Sequence, residues 1–103
     1  MATTTVPAQR AYSVTPNAVF GACVTVLGQM RADIRHADAE QGEIIAQVGQ
    51  GWLARISELR FQLHPAGDST TQLLAYFRPV RWGGDARLLT HILQMLDTRL
   101  PRT

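Results

Sequence analysis

The chain has 103 residues, of which 46% are hydrophobic and 17% charged, a balance typical of one globular domain and unlike that of a disordered chain. Its formal net charge is only +2, which is too weak to indicate nucleic-acid or membrane binding by charge alone. A single cysteine excludes an internal disulfide framework.

The N-terminal segment at residues 1–8 is small, polar and proline-containing, and predicts a flexible tail before a single domain at residues 9–103. The tetrapeptide FGAC at residues 20–23 is similar to the end of a bacterial lipoprotein signal. The residues before it form no continuous apolar core, because they are interrupted by Pro7, Arg10 and Pro16. We therefore expect a cytoplasmic location for the chain as it stands, or the cell envelope if a leader was removed.

A short strand is expected at about residues 10–14, followed by an amphipathic helix. Thr15-Pro16 favours a helix start, since threonine can cap free N–H groups and proline fits the first helical position. The helix is predicted to end near Ala32 and to carry one apolar stripe: Val19, Phe20, Cys23, Val26, Leu27 and Met30. It also contains two glycines that could let it approach a sheet closely, Gly21 and Gly28.

Four further strands follow, separated by short turns that contain glycine. We expect them at about residues 33–38, 43–48, 52–64 and 70–80. A last helix is predicted from about Asp85 to Arg99, with a broad apolar face: Leu88, Leu89, Ile92, Leu93, Met95, Leu96 and Leu100. The order β-α-β-β-β-β-α predicts an α+β fold, a two-layer sandwich in which an antiparallel sheet has both helices on one face.

The alternation of apolar and polar residues changes its phase within the strand predicted at residues 52–64. Trp52, Ala54 and Ile56 have one parity, whereas Leu59, Phe61 and Leu63 have the other. This slip near Ser57-Glu58 predicts a β-bulge or an unusually twisted strand. It also predicts that some apolar surface lies on the outer, helix-free face of the sheet, where it would contact a partner.

The segment RPVRWGGDAR at residues 78–87 joins the last strand to the last helix. Its Gly-Gly-Asp is predicted to be a strand-to-helix turn, with Asp85 at or next to the N-cap. The alternative is a weak anion site, although the carboxylate of Asp85 would compete for the same N–H groups. The residues of that alternative site are Arg78, Arg81, Arg87, Gly83 and Gly84.

The remaining residues with chemical potential fit structural roles. Cys23 falls on the apolar stripe of the first helix, so core packing is the better interpretation. The three histidines, His36, His64 and His91, have no metal-ligand spacing. Because the sequence offers no nucleophile–base pair, metal set or cofactor loop, we expect neither an enzyme nor a bound cofactor or metal.

A double-stranded-RNA-binding domain is one alternative, since its α-β-β-β-α order matches residues 16–100. Such a domain needs a basic cluster at the start of its second helix, and residues 84–87 read GDAR there. Nucleic-acid binding is therefore the less favoured interpretation.

Several segments together resemble a family of small bacterial domains of unknown function. They are the helix NAVFGACVTVLGQM at residues 17–30, the stretch from Asp38 through GEIIA at residues 42–46, and the strand that leads into Gly83-Gly84-Asp85 and a last amphipathic helix. The resemblance covers residues 12–100. Members often occur as short lipoproteins, which implies an envelope location, and the family implies no catalytic residues.

The sequence thus favours a small non-catalytic interaction or assembly module that binds a protein partner or itself through the open sheet face. The residues proposed for this contact are Trp52, Arg55, Tyr76 and Trp82. The competing hypothesis is a small-ligand or anion-binding domain, or an enzyme, that uses the region of Arg78, Arg81 and Trp82. In either case we expect one core that includes Phe20, Cys23, Leu27, Ile92 and Leu96.

Overall fold

A computed structural model describes residues 8–50, 55–78 and 83–102 of the chain. Five strands and two helices occur in the order β1 (Ala8–Tyr12), α1 (Pro16–Gln29), β2 (Asp33–Asp38), β3 (Glu43–Gln50), β4 (Arg55–Pro65), β5 (Thr71–Arg78) and α2 (Gly83–Arg99). Ala8 begins β1, and the rest of the predicted tail lies outside the described residues.

The described strands form one antiparallel sheet in the order β1-β5-β4-β3-β2. Both helices pack on the same face of this sheet, and α1 also contacts α2. The predicted α+β fold with two helices on one sheet face is therefore confirmed. Consecutive strands from β2 to β5 pair with each other, whereas β1 pairs with β5 at the far edge.

A core of apolar side chains fills the space between the helices and the sheet. Four of the five predicted core residues are fully buried there: Cys23, Leu27, Ile92 and Leu96. The fifth, Phe20, is partly buried and packs against the margin of the core. The sheet contributes alternate residues of its central strands, such as Leu59, Phe61 and Leu63 of β4, because successive side chains of a strand point to opposite faces.

Helix α1 begins as predicted, because the Thr15 side chain accepts a hydrogen bond from the backbone N–H of Ala18. It ends earlier than expected. Arg31 adopts a left-handed backbone conformation (φ 57°), and the N–H of Ala32 reaches back to the carbonyl of Leu27, so the chain leaves the helix after Gln29. This is the hydrogen-bond pattern of a Schellman motif, formed here without glycine.

The two glycines of α1 do not mark a close approach to the sheet. Gly21 and Gly28 are both exposed, and a Cβ atom added at either would meet nothing within 4 Å. That interpretation of the sequence was wrong, because the glycines lie on the solvent side of the helix.

Of the two alternatives for the parity change near Ser57-Glu58, the β-bulge was wrong, and the unusually twisted strand stays a prediction. The β3–β4 register runs without interruption from Gln50↔Arg55 to Glu43↔Gln62. The irregularity occurs in β2 instead, where the pairing with β3 shifts between Ile34 and His36. A bulge at a sheet edge disrupts only one ladder, which makes the edge its common location.

Helix α2 begins at Gly83, two residues before the predicted start. The two glycines therefore form part of its first turn, and Asp85 is the third helical residue rather than the N-cap. The predicted position of Asp85, at or next to the N-cap, was therefore wrong, and its side chain lies outside the described part of the chain.

Candidate functional site

The anion site predicted from the sequence falls largely outside the described residues. Arg81 and Trp82 lie in the undescribed segment before α2, and the side chains of Arg78 and Arg87 are not described. The backbone of Arg78 pairs with Glu58 at the end of β5, and Gly83 and Gly84 open α2. Anion binding by these residues stays a prediction.

Of the four residues predicted to contact a partner, only Tyr76 has a described side chain. Trp52 and Trp82 lie outside the described residues, and so does the side chain of Arg55. Tyr76 is partly buried on the helix-free face of the sheet, where its hydroxyl accepts a hydrogen bond from Gln62 Nε2 at 3.3 Å. Arg60 lies directly opposite it on β4.

The helix-free face, which we call the outer face, mixes apolar and charged side chains. Across its centre runs a cross-strand row formed by Ile45, Arg60 and Tyr76, all partly buried. Arg60 Nε donates to Glu58 Oε2 at 2.7 Å, and this hydrogen bond raises the pKa of the Arg60 guanidinium. The outer face is thus amphipathic, rather than continuously apolar, over its described side chains.

A second polar group, the Asp97 cluster, joins α2 to the edge strand β1 and to the C-terminal segment. The Tyr12 hydroxyl donates to Asp97 Oδ1 at 2.9 Å. Asp97 Oδ2 lies 3.5 Å from Arg10 Nε and 3.5 Å from Arg102 Nη1. The Asp97 carboxylate thereby contacts the Tyr12 phenol and two guanidinium groups. These two groups, of Arg10 and Arg102, come from opposite ends of the sequence.

Backbone contacts hold the C-terminal segment against β1. Tyr12 and Arg102 form an antiparallel bridge, and the N–H of Ser13 donates to the carbonyl of Pro101 at 2.7 Å. These contacts place the Arg102 side chain beside a cavity of about 340 Å³ at the β1–β5 edge. The lining residues are Gln9, Arg10, Ala11, Gln72, Leu73, Leu74 and Arg102.

The sequence interpretation missed the Asp97 cluster. One signal was available: Asp97 follows Leu93 by four residues and precedes Leu100 by three, so it falls on the apolar stripe of α2. An acid at such a position needs a polar partner. The partner is Tyr12, 85 residues away, and no local pattern predicts that contact.

Tyr12 gives the cluster a pH-dependent contribution to stability. Burial, reinforced by the hydrogen bond to Asp97, raises the pKa of the Tyr12 hydroxyl above its ordinary range. The folded protein therefore holds this proton more tightly than the unfolded chain, in which tyrosine titrates near pH ~10. The stabilisation is present below that pH and is lost as the pH rises through and above it.

We expect Tyr12→Phe to lower the free energy of unfolding by about 1.5–3 kcal/mol at pH 7, the cost of a hydrogen bond to a charged group. The difference from wild type should narrow as the pH rises above ~10, because the wild-type phenol then loses its advantage. Urea denaturation at pH 7, 9 and 11 measures both effects. A difference that stays constant across this range would contradict the assigned pKa direction.

The other titratable or nucleophilic side chains of the described residues have structural surroundings. Cys23 is fully buried, and burial raises the pKa of its thiol to about 12, so the nucleophilic thiolate is strongly disfavoured. His36 Nε2 lies 3.5 Å from Glu43 Oε1 on exposed parts of β2 and β3. No three His, Cys, Asp or Glu side chains of the described ranges are grouped as a metal site would require.

Neither described helix is long and apolar enough to cross a membrane.

Comparisons with known proteins support the fold of the chain but assign it to no family. A scan against protein-family models and a search of curated proteins each find no match. Among solved structures, the chain is similar to the di-domain ARO/CYC StfQ from the steffimycin biosynthetic pathway, with a TM-score of 0.63 and 12% sequence identity. The match covers 91% of this chain but only 43% of that one. At this identity the likeness shows a shared α+β fold, and the chain spans less than half of its structural neighbour.

Proposed function

We propose that this chain is a non-catalytic interaction module that pairs with a second copy of itself through the outer face. The observation that carries the proposal is the cross-strand pair of Arg60 and Tyr76 at the centre of a sheet face on which neither described helix packs. Tyrosine and arginine are, with tryptophan, the side chains enriched among the residues that contribute most to interface binding energy.

Contacts within the chain already order the side chains of both proposed interface residues, Arg60 and Tyr76, in the absence of a partner. Arg60 is held by Glu58 at 2.7 Å, and Tyr76 by Gln62 at 3.3 Å. Side chains that are already ordered lose less conformational entropy on binding. Ile45 beside Arg60 and Leu74 on β5 are partly buried and add apolar area around the pair.

The size of the outer face is compatible with a dimer. The five strands contain 5, 6, 8, 11 and 8 residues, or 38 in total. At ~3.3 Å per residue and ~4.8 Å between strands, the projected area is about 600 Å². Because side chains make the accessible surface larger than its projection, this approaches the ~800 Å² per partner of a standard interface.

The charges of the outer face suit a two-fold contact. Glu43 and Glu58 lie on the same face as Arg60, so two identical faces can bring opposite charges together. The sheet edges are less suited to pairing. Strand β2 is bulged and carries exposed charged residues such as Asp33 and Arg35, whereas β1 is flanked by the C-terminal segment. Both features protect edges from strand addition.

The chemistry of the described side chains supports the non-catalytic part of the proposal. The Cys23 thiol and the Tyr12 hydroxyl are buried, and each keeps its proton well above neutral pH. General acid–base or nucleophilic work needs groups that exchange a proton near the working pH. These two side chains are better explained as parts of the core.

We expect Tyr76→Glu to weaken dimerisation by about 30-fold or more, the effect of losing an interface anchor worth ~2 kcal/mol. Sedimentation velocity over a concentration series measures the dissociation constant, and far-UV circular dichroism checks the fold. Gln94→Glu introduces the same charge on the exposed side of α2 and should leave dimerisation unchanged.

A wild type that stays monomeric at ~100 µM would overturn self-pairing. Capture of a different protein that depends on Tyr76 would then assign the outer face to that partner. Equal dimerisation of Tyr76→Glu and wild type would exclude the outer face altogether.

A further inference from the structure

We propose that self-pairing through the outer face is controlled by pH, because His36 must take up a proton to compensate the charge of Glu43 when two such faces meet. This inference rests on the proposed self-pairing and adds its regulation. Histidine is the side chain whose charge ordinarily changes between pH ~5 and ~8. Association should therefore strengthen as the pH falls through that range.

His36 lies on the outer face, in the same cross-strand row as the proposed interface residues. It pairs with Ile45 of β3, and the row continues through Arg60 of β4 to Tyr76 of β5. At ~4.8 Å between strands, His36 is about 14 Å from Tyr76 along this row. A contact of ~800 Å² per partner has a radius of about 16 Å, so an interface centred on Arg60 and Tyr76 includes His36.

Two acidic side chains of the outer face have permanent counter-charges. Asp33 Oδ2 lies 3.2 Å from Arg35 Nε, and Glu58 Oε2 lies 2.7 Å from Arg60 Nε. Arginine stays protonated well above neutral pH. Both carboxylates can therefore enter an interface as ion pairs at any pH near neutrality.

Glu43 has a conditional counter-charge instead. Its Oε1 lies 3.5 Å from His36 Nε2, and the two groups form an ion pair only when the imidazole is protonated. Its cross-strand neighbours are Asp38 on β2 and Gln62 on β4. One of these is another carboxylate and the other is neutral, so neither compensates the charge of Glu43. Among its described neighbours, that charge therefore depends on His36.

The other groups around His36 do not replace its proton. On the same strand, Arg35 already contacts Asp33 and donates to Gln47 Oε1 at 3.1 Å. Ile45, opposite His36 on β3, is apolar. Helix α1 contacts β2 from the other side of the sheet and contains no acidic or basic residue. Within the described part of this corner of the face, the imidazole is thus the group whose charge changes near neutral pH.

Association withdraws water from both partners of this contact, whose side chains are 48% (His36) and 33% (Glu43) exposed in the single copy. A carboxylate buried without a counter-charge costs far more free energy than one buried in an ion pair. The dimer therefore favours the protonated imidazole more than the monomer does, and association takes up protons. This gain is present below the ordinary titration range of histidine and is lost as the pH rises through it. It counts twice, because a two-fold dimer contains two such pairs.

The test is the dimer dissociation constant, measured by sedimentation velocity at pH 7.5 and pH 5.5 and at constant ionic strength. We expect the wild type to dimerise about tenfold more tightly at pH 5.5, which requires ~0.7 kcal/mol from each of the two pairs. Glutamate ordinarily titrates near pH ~4.3, so carboxylates stay largely charged at the lower pH. Far-UV circular dichroism at both pH values checks the fold.

Two variants separate the proton on His36 from other effects of pH. His36→Gln cannot gain a charge, so its dissociation constant should be the same at both pH values. Glu43→Gln removes the carboxylate that needs compensation, so it should dimerise at pH 7.5 at least as tightly as the wild type and should not tighten at pH 5.5. The matched control is His91→Gln, which should keep the wild-type pH dependence, because His91 is exposed on α2 and away from the outer face.

The outcomes distinguish this inference from the proposed self-pairing. A wild type that dimerises equally well at both pH values, or more weakly at pH 5.5, overturns the control by pH and leaves self-pairing standing. Tightening at pH 5.5 that His36→Gln retains also overturns it. A wild type that stays monomeric at ~100 µM at both pH values overturns both proposals.

Discussion

Leu96→Ala is expected to lower the free energy of unfolding by about 2–5 kcal/mol, the range found for buried leucine truncations. Leu96 is fully buried in the core between the helices and the sheet. Its removal exchanges apolar contacts for a cavity that the surrounding side chains fill only in part. This loss is a large fraction of the ~5–15 kcal/mol that stabilises a typical domain.

Chemical denaturation followed by tryptophan fluorescence and circular dichroism measures this effect. Gln94→Ala is the matched control, because Gln94 lies on the exposed side of the same helix and its replacement should change stability by less than ~0.5 kcal/mol. An unfolding midpoint that Leu96→Ala leaves unchanged would contradict the packing of α2 against the core.

Gly42→Ala is expected to be comparably destabilising, by about 2–4 kcal/mol, for two independent reasons. Gly42 has φ +67°, a left-handed conformation in which a side chain is strained. A Cβ atom at this position would also overlap the backbone carbonyl oxygen of Leu63. Backbone cannot move aside as a flexible side chain can, so the turn itself must shift.

The consequence extends beyond the turn, because the carbonyl of Gly42 accepts a hydrogen bond from the N–H of Leu63 at 2.8 Å. A displaced Gly42 would weaken the start of the β3–β4 ladder. Gly21→Ala is the informative control: Gly21 is exposed within α1 with nothing near its Cβ position, so alanine should stabilise the protein by about 0.5–1 kcal/mol. Denaturant titrations that show the same change for both glycines would contradict these backbone assignments.

The fold class and most elements could be predicted because their signals are local. Thr15-Pro16 specifies the start of α1 through a side-chain cap and a fixed φ, and both act within one helical turn. The stripe that contains Cys23 and Leu27 predicts the buried face of that helix through its 3.6-residue period. Glycine-containing turns predict antiparallel neighbours, and the sheet from β2 to β5 follows them.

Predictions that depended on strand register were less successful. The parity change after Ile56 was interpreted as a bulge, yet the β3–β4 ladder is continuous and the bulge lies in β2. A change of parity in one strand has two explanations, a bulge or apolar residues on both faces, and only the pairing with a second strand separates them.

The Asp97 cluster, in contrast, depends on the tertiary structure. Tyr12, Asp97 and Arg102 meet because β1 lies at the sheet edge next to the end of α2, and the C-terminal segment returns alongside β1. Sequence patterns report periods of two to four residues, whereas this contact spans 85 residues. The sequence by itself determined the elements and the buried face of α1. The folded chain decided which polar groups share a carboxylate, because that depends on distances between segments that no local period encodes.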